Sequence, residues 1–120
     1  MRVLVVDDNA DMRDSLRMLL AQIGFDAEGA RDGQQALGIQ RTRPAQILIT
    51  DIFMPGTDGI ETIEAFRREW PAMKIVAMSG GGAVATRDYL KVAPDIGADA
   101  VLRKPFSLDS LQDVLHALVR

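Results

Sequence analysis

Five polar residues stand at or just behind the ends of short apolar runs: Asp7, Asp8, Asp51, Ser79 and Lys104. Three carboxylates gathered in one crevice repel each other unless a cation neutralises them. Ligation by oxygen alone favours a hard ion such as Mg²⁺ or Mn²⁺. A carboxylate beside such an ion can attack phosphorus and form an aspartyl phosphate, while the ion and a lysine neutralise the transferring group.

The serine and the lysine fit the same chemistry, although each has a plainer explanation when taken singly. Ser79 could donate a hydrogen bond to a phosphoryl oxygen, and Lys104 could supply a positive point charge. A cis peptide bond between Lys104 and Pro105 could direct the lysine side chain toward the site. A lone Lys-Pro pair is usually an exposed turn, a lone serine often bonds its local backbone, and an aspartate before a helix is often only an N-cap. Asn9 offers such a cap without Asp7 or Asp8, so the joint placement favours a site.

Short apolar runs alternate with segments of helical period along the chain. Five runs predict buried strands: Val3 to Val6, the weaker edge strand Asp26 to Ala30, Ile47 to Thr50, Ile75 to Met78, and Ala100 to Leu102. Five helices are predicted between and after them: Met12 to Ile23, Gln34 to Gln40, Ile60 to Phe66, Ala85 to Ile96 with a break at Pro94, and Leu108 to Leu118. Strict alternation of strand and helix predicts a parallel sheet with helices on both faces, whose strands deliver their carboxyl ends to one edge.

The composition limits the class of protein. At 120 residues and 13.1 kDa, 48% hydrophobic and 26% charged, the chain is expected to be one globular domain. A net charge of -3 gives no general attraction to nucleic acid or anionic membrane. The apolar start, Val3 to Val6, is too brief for a membrane span or a signal peptide, and the absence of cysteine favours the cytoplasm.

Four pieces of sequence carry a resemblance to a known family: Val-Val-Asp7-Asp8-Asn, Ile-Thr-Asp51-Ile-Phe-Met-Pro55-Gly-Thr-Asp-Gly59, Met-Ser79-Gly, and Gly97-Ala-Asp-Ala-Val-Leu-Arg-Lys104-Pro105-Phe106. In this order and at strand ends, they make the whole chain resemble the receiver domain of bacterial two-component response regulators. The resemblance implies a single receiver domain over residues 1–120. It also implies a flavodoxin-like, doubly wound sheet of five parallel strands in the order 2-1-3-4-5, with five helices.

The resemblance also implies roles for individual residues and partners. Asp51 would be the phosphoacceptor, and a histidine kinase or histidine phosphotransfer protein would be the donor. Asp8, Asp51 and the backbone carbonyl of Phe53 would bind the metal directly, with Asp7 acting through water. Such a domain assists its own phosphorylation and dephosphorylation and is not a turnover enzyme.

Phosphorylation would draw Ser79 and Lys104 to the dianionic group, shift the populations of nearby loops, and so switch binding to a downstream protein or to a second copy. If the sequence is complete, no output domain follows Arg120, and the protein must signal by docking or by passing its phosphoryl group on.

Two departures from the family pattern concern this switch. Val101 stands where receivers usually have an aromatic ring, and Gly80 to Gly82 form a looser loop than usual. Tyr89 is a candidate substitute for the missing ring.

Three other classes of protein stay open. An aspartyl-phosphate phosphatase would use an Asp-x-Asp pattern, but Phe53 occupies its second position. A flavin mononucleotide binder would have its phosphate repelled by Asp7 and Asp8. A scaffold of the same fold that never becomes phosphorylated would have no use for an intact acidic cluster. His116, the single histidine, is expected on a solvated turn of the last helix and away from the site.

Overall fold

The computed structural model describes residues 1–52, 59–79 and 97–119. Its strands are β1 (Arg2–Val6), β2 (Asp26–Ala30), β3 (Ile47–Asp51), β4 (Lys74–Ser79) and β5 (Ala100–Arg103). Its helices in the described ranges are α1 (Ala10–Gln22), α2 (Gly33–Thr42), α3 (Gly59–Glu69) and α4 (Leu108–Val119). The helix predicted over Ala85 to Ile96, with its break at Pro94, lies outside the described residues.

All five strands form one parallel sheet in the order β2-β1-β3-β4-β5. This confirms the strand order that the family resemblance implies. The order reverses direction beside β1, so a crevice forms outside the carboxyl ends of β1 and β3. Across that edge Val6 pairs with Thr50, Asp51 pairs with Met78, and Ser79 pairs with Arg103.

The strands β1, β3 and β4 are nearly continuous apolar runs because the sheet is covered on both faces there. Alternate residues of a strand point to opposite faces, and in these three strands both sets are buried. On one face Leu4 and Val6 join a core with residues of α2 and α3. On the other face Val3 and Val5 join a core with Leu16, Leu20, Leu111 and Leu115, which come from α1 and α4.

Local capping chemistry sets where the helices begin and end. The Asn9 side chain accepts a hydrogen bond from the Met12 amide at 2.9 Å and caps α1, as predicted, and Asp32 caps α2 in the same way. After α1, Gly24 has a φ of 93°, a left-handed conformation that glycine adopts at low cost. No helix in the described ranges is long and apolar enough to span a bilayer.

At the opposite edge of the sheet from the predicted site, one arginine ties three chain segments together. The Arg67 guanidinium on α3 donates hydrogen bonds to the main-chain oxygens of Pro71 and Met73, both at 2.8 Å. It also donates to the Gly97 oxygen and, at 2.7 Å, to the Asp99 carboxylate. This side chain therefore fixes the α3–β4 turn and the entry to β5 on the same helix.

Replacing this arginine should weaken the fold measurably. Arg67→Met leaves several acceptors without their charged donor, and we expect a loss of roughly 2–4 kcal/mol in the free energy of unfolding. The neighbouring Arg68 is exposed, so Arg68→Met should change that free energy by less than about 0.5 kcal/mol. Urea unfolding followed by circular dichroism measures both variants, and equal midpoints for the two would contradict this account of Arg67.

Candidate functional site

Three aspartates that are far apart in the sequence meet at the carboxyl edge of the sheet. Carboxylate oxygens of Asp7, Asp8 and Asp51 all lie within 4.8 Å of one another. Asp7 and Asp51 are buried, whereas Asp8 is exposed, so the cluster has a closed inner side and a side open to solvent. The gathering of the three acids is as predicted from the sequence.

Lys104 lies directly against two of these acids. Its Nζ is 2.8 Å from Asp7 Oδ2 and 3.0 Å from Asp51 Oδ2, although 97 and 53 residues separate them in the chain. Burial is the largest single influence on the pKa of Lys104 and lowers it, but the hydrogen bonds and charges of Asp7 and Asp51 together outweigh burial and raise that pKa above its ordinary value. The ammonium group therefore stays charged at neutral pH.

Asp7 is held at every polar atom it has. Its amide donates to the Ala30 oxygen at 3.1 Å, and its own main-chain oxygen accepts from Arg13 Nη1 at 2.8 Å. One carboxylate oxygen accepts from the Asn9 amide at 3.0 Å, while the other accepts from Lys104. The position of Asp7 is thus fixed through both its main chain and its side chain.

Ser79 ends β4 and is buried, one position beyond the residue that pairs with Asp51. Its main-chain oxygen accepts a hydrogen bond from the Lys104 amide at 2.7 Å, which joins the ends of β4 and β5. The Lys104–Pro105 peptide bond is cis, as predicted. Ser79 and Lys104 therefore belong to the same edge as the three acids.

Further positions that were singled out from the sequence have different outcomes. The Phe53 carbonyl, the Gly80 to Gly82 loop and Tyr89 lie outside the described residues. Val101 is partly buried and packs against the core shared with α2 and α3. His116 is exposed on α4, which confirms its predicted solvated position.

Two residues of the site were not predicted from the sequence. Gly59, the first residue of α3, approaches the end of β3 so closely that an added Cβ would lie 2.0 Å from the Asp51 main-chain oxygen and 2.4 Å from Ile52 Cα. Its amide donates to the Ile52 oxygen at 2.9 Å. The second is Arg13, which bonds the Asp7 main-chain oxygen. The sequence carried one signal for it, because a cation in the first turn of a helix lies where the helix dipole favours anions.

The donor set fits a hard divalent cation. In the part of the chain that the structure describes, three carboxylates converge here, and such oxygen ligands suit Mg²⁺ or Mn²⁺. Three carboxylates and one ammonium leave a net charge of -2, which a single divalent ion balances. Asp8 lies on the open side, where an ion can keep some of its waters.

The comparison with protein families agrees with this geometry. The family described as the response regulator receiver domain matches residues 3–116. The chain belongs to the receiver domain family. It is accordingly a receiver domain of a response regulator in a two-component system.

Similar response regulators support the assignment. The receiver domain is 36% identical over 120 residues to the response regulator MprA of Mycobacterium avium (strain 104), covering 100% of this chain and 51% of that protein. It is 37% identical over 121 residues to the response regulator MprA of Mycobacterium leprae (strain TN), with the same two coverages. The chain therefore spans about half the length of these relatives.

Solved receiver structures superimpose closely. The receiver domain of NtrX from Brucella abortus gives a TM-score of 0.88 at 29% identity and covers 98% of this chain and 97% of that one. The chemotaxis protein CheY4 of Vibrio cholerae gives a TM-score of 0.87 at 26% identity, with 98% of each chain covered. The flavodoxin-like sheet is shared with both.

The close approach at Gly59 predicts that even one methyl group is harmful there. Gly59→Ala should lower the free energy of unfolding by about 1–3 kcal/mol, because the end of β3 and α3 must separate. Gly38, inside α2, has nothing within 4 Å of an added Cβ, so Gly38→Ala should instead stabilise by about 0.5–1 kcal/mol through helix propensity. Urea unfolding of both variants tests the contrast, and two changes of the same sign would contradict it.

Removing the lysine should leave two facing carboxylates without their cation. We expect Lys104→Met to lose roughly 2–4 kcal/mol of unfolding free energy in the absence of metal, because Asp7 is fully buried. Mg²⁺ should stabilise this variant more than it stabilises wild type, since the ion takes over the neutralisation. Thermal melts with and without Mg²⁺ measure the difference, with the exposed Lys74→Met as control.

Smaller stabilisation of Lys104→Met than of wild type by Mg²⁺ would show that the lysine and the ion do not neutralise the same charges.

Proposed function

We propose that this receiver domain accepts a phosphoryl group on Asp51 from a histidine kinase or a histidine phosphotransfer protein. The observation that carries the proposal is the contact of Lys104 Nζ with both Asp7 and Asp51 at the edge where Asp8 also lies. A buried acceptor carboxylate, a fixed cation and an open acidic side are the parts that phosphoryl transfer needs.

The proposed transfer is a displacement at phosphorus. An Asp51 carboxylate oxygen forms the new P–O bond as the P–N bond of the donor phosphohistidine breaks. The electron pair of the broken bond stays on the imidazole nitrogen, which then takes a proton. Lys104 is already within 3.0 Å of Asp51 and can follow the phosphoryl oxygens without a large movement.

The metal ligands would be Asp8, Asp51 and the Phe53 carbonyl, with Asp7 acting through a water molecule. When bound, Mg²⁺ or Mn²⁺ would neutralise negative charge on the transferring group and on the three acids. Asp7 supports this arrangement because its two carboxylate oxygens already accept hydrogen bonds from Asn9 and Lys104. Ser79 is proposed to donate a hydrogen bond to a phosphoryl oxygen.

The same residues argue for a signalling domain that assists its own phosphorylation and dephosphorylation rather than a turnover phosphatase. Phe53 stands where a phosphatase of the Asp-x-Asp type has its general acid. The response would be a change in binding to a downstream protein or to a second copy of the chain. A cytoplasmic location, where a kinase can reach the site, is part of the proposal.

Phosphorylation at Asp51 can be tested by mass. Incubation with Mg²⁺ and acetyl phosphate should add one phosphoryl group to wild type, and Asp51→Asn should gain none, because its amide oxygen is too weak a nucleophile. Intact mass spectrometry at neutral pH gives the readout. Asp113→Asn, an exposed aspartate on α4, is the matched control and should be modified like wild type.

Chelation of the metal with EDTA should abolish the gain in wild type. Equal modification of Asp51→Asn and wild type would place the acceptor elsewhere, and modification unchanged by EDTA would contradict the metal's role.

A further inference from the structure

Arg13 reaches the edge of the site from the first turn of α1. Its Nη1 donates a hydrogen bond to the main-chain oxygen of Asp7 at 2.8 Å. A positive charge in the first turn of a helix is opposed by the helix dipole. The hydrogen bond to the Asp7 oxygen opposes this cost.

A glycine in β2 leaves room for the arginine stem. An added Cβ at Gly29 would lie 3.4 Å from Arg13 Cδ and 3.3 Å from Arg17 Cδ, so both stems cross β2 at this position. The two arginines then diverge. Arg17 Nε donates to the Ala27 oxygen at 3.2 Å, on the edge strand and away from the acids, whereas Arg13 turns toward the end of β1.

The contact lies at the peptide group that joins two acids of the cluster, Asp7 and Asp8. The Asp7 oxygen belongs to the peptide group that leads into Asp8, the exposed acid of the cluster. The Asn9 amide, one residue further, is bonded to the Asp7 carboxylate. Fixing the Asp7 oxygen therefore restricts the peptide plane from which the Asp8 side chain projects.

We propose that Arg13 is a positioning residue, which holds the turn from Asp7 to Asn9 so that Asp8 stays in place for the metal. This inference rests on the proposed metal role of the acids. Supporting contacts of this kind commonly change metal affinity by about 10- to 100-fold. Charge acts in the opposite direction, because a cation near the site repels Mg²⁺, so the sign of the effect separates positioning from simple electrostatics.

The experiment compares Arg13→Met with Arg17→Met in the full chain. Both variants remove a guanidinium whose stem crosses Gly29, and only the first removes a bond to the site. Isothermal titration with MgCl₂ at about 0.15 M salt, where distant charges are screened, should show Mg²⁺ binding about tenfold weaker in Arg13→Met and near wild type in Arg17→Met.

A second readout needs no metal. Amide hydrogen exchange at Asn9 in the metal-free protein should be faster in Arg13→Met than in wild type, because the Asp7 carboxylate that accepts from the Asn9 amide is then less fixed. Exchange at Asn9 should be unchanged in Arg17→Met. Urea unfolding of each variant, measured in parallel, shows whether a change in global stability accounts for the change in exchange rate. Should Arg13→Met fail to fold, Arg13→Gln, whose side chain is too short to reach the Asp7 oxygen, is compared with Arg17→Gln in the same way.

The outcomes separate this inference from the proposed function. Wild-type or tighter Mg²⁺ affinity in Arg13→Met would overturn the positioning role while wild type still binds the ion. Equally weakened Mg²⁺ binding in Arg17→Met would show that the effect comes from the packing of the two arginine stems on β2, and not from the bond to Asp7. Failure of wild type to bind Mg²⁺ would contradict the proposed function, and exchange at Asn9 would still decide whether Arg13 fixes the turn.

Discussion

The electrostatic balance at the carboxyl edge of the sheet is the constraint on which the rest of the site depends. Two buried carboxylates, those of Asp7 and Asp51, face one ammonium group at 2.8 and 3.0 Å. Without Lys104 they would oppose folding by mutual repulsion and by the loss of hydration. The third acid, Asp8, is left at the open side, where an added cation can complete the balance. The ion pairs with Lys104 therefore hold the two buried acids together at this edge.

The sheet makes this arrangement possible because its strands are parallel and covered on both faces. Packing on both faces fixes the register, since a slip of one residue would exchange two buried sets of side chains that differ in shape and volume. The register in turn sets Asp51 beside Met78 and Ser79 beside Arg103, so that Lys104 follows directly at the same edge. The apolar cores thus position the polar groups at the strand ends.

The support around the acids is built from backbone contacts. Arg13 and Asn9 hold the Asp7 turn, and the Gly59 amide holds α3 against the end of β3. Each contact joins a helix to a strand end, so the acids are set by the packing of elements as well as by their own ion pairs.

The sequence by itself determined the strands and the identities of the acids and the lysine. Its pattern places each strand within one residue of the observed bounds. The signal is unbroken in β1, β3 and β4, because these strands are buried on both faces. The resemblance to receivers added the strand order, which local patterns alone do not specify.

Only the tertiary structure decided which atoms meet. The double contact of Lys104 joins residues 97 and 53 positions apart, and no local pattern encodes such distances. The close approach of Gly59 and the path of Arg13 across Gly29 were likewise not specified by the sequence, since a glycine or an arginine has many ordinary uses. Packing selects among those uses because it fixes the space and the partners that each side chain finds.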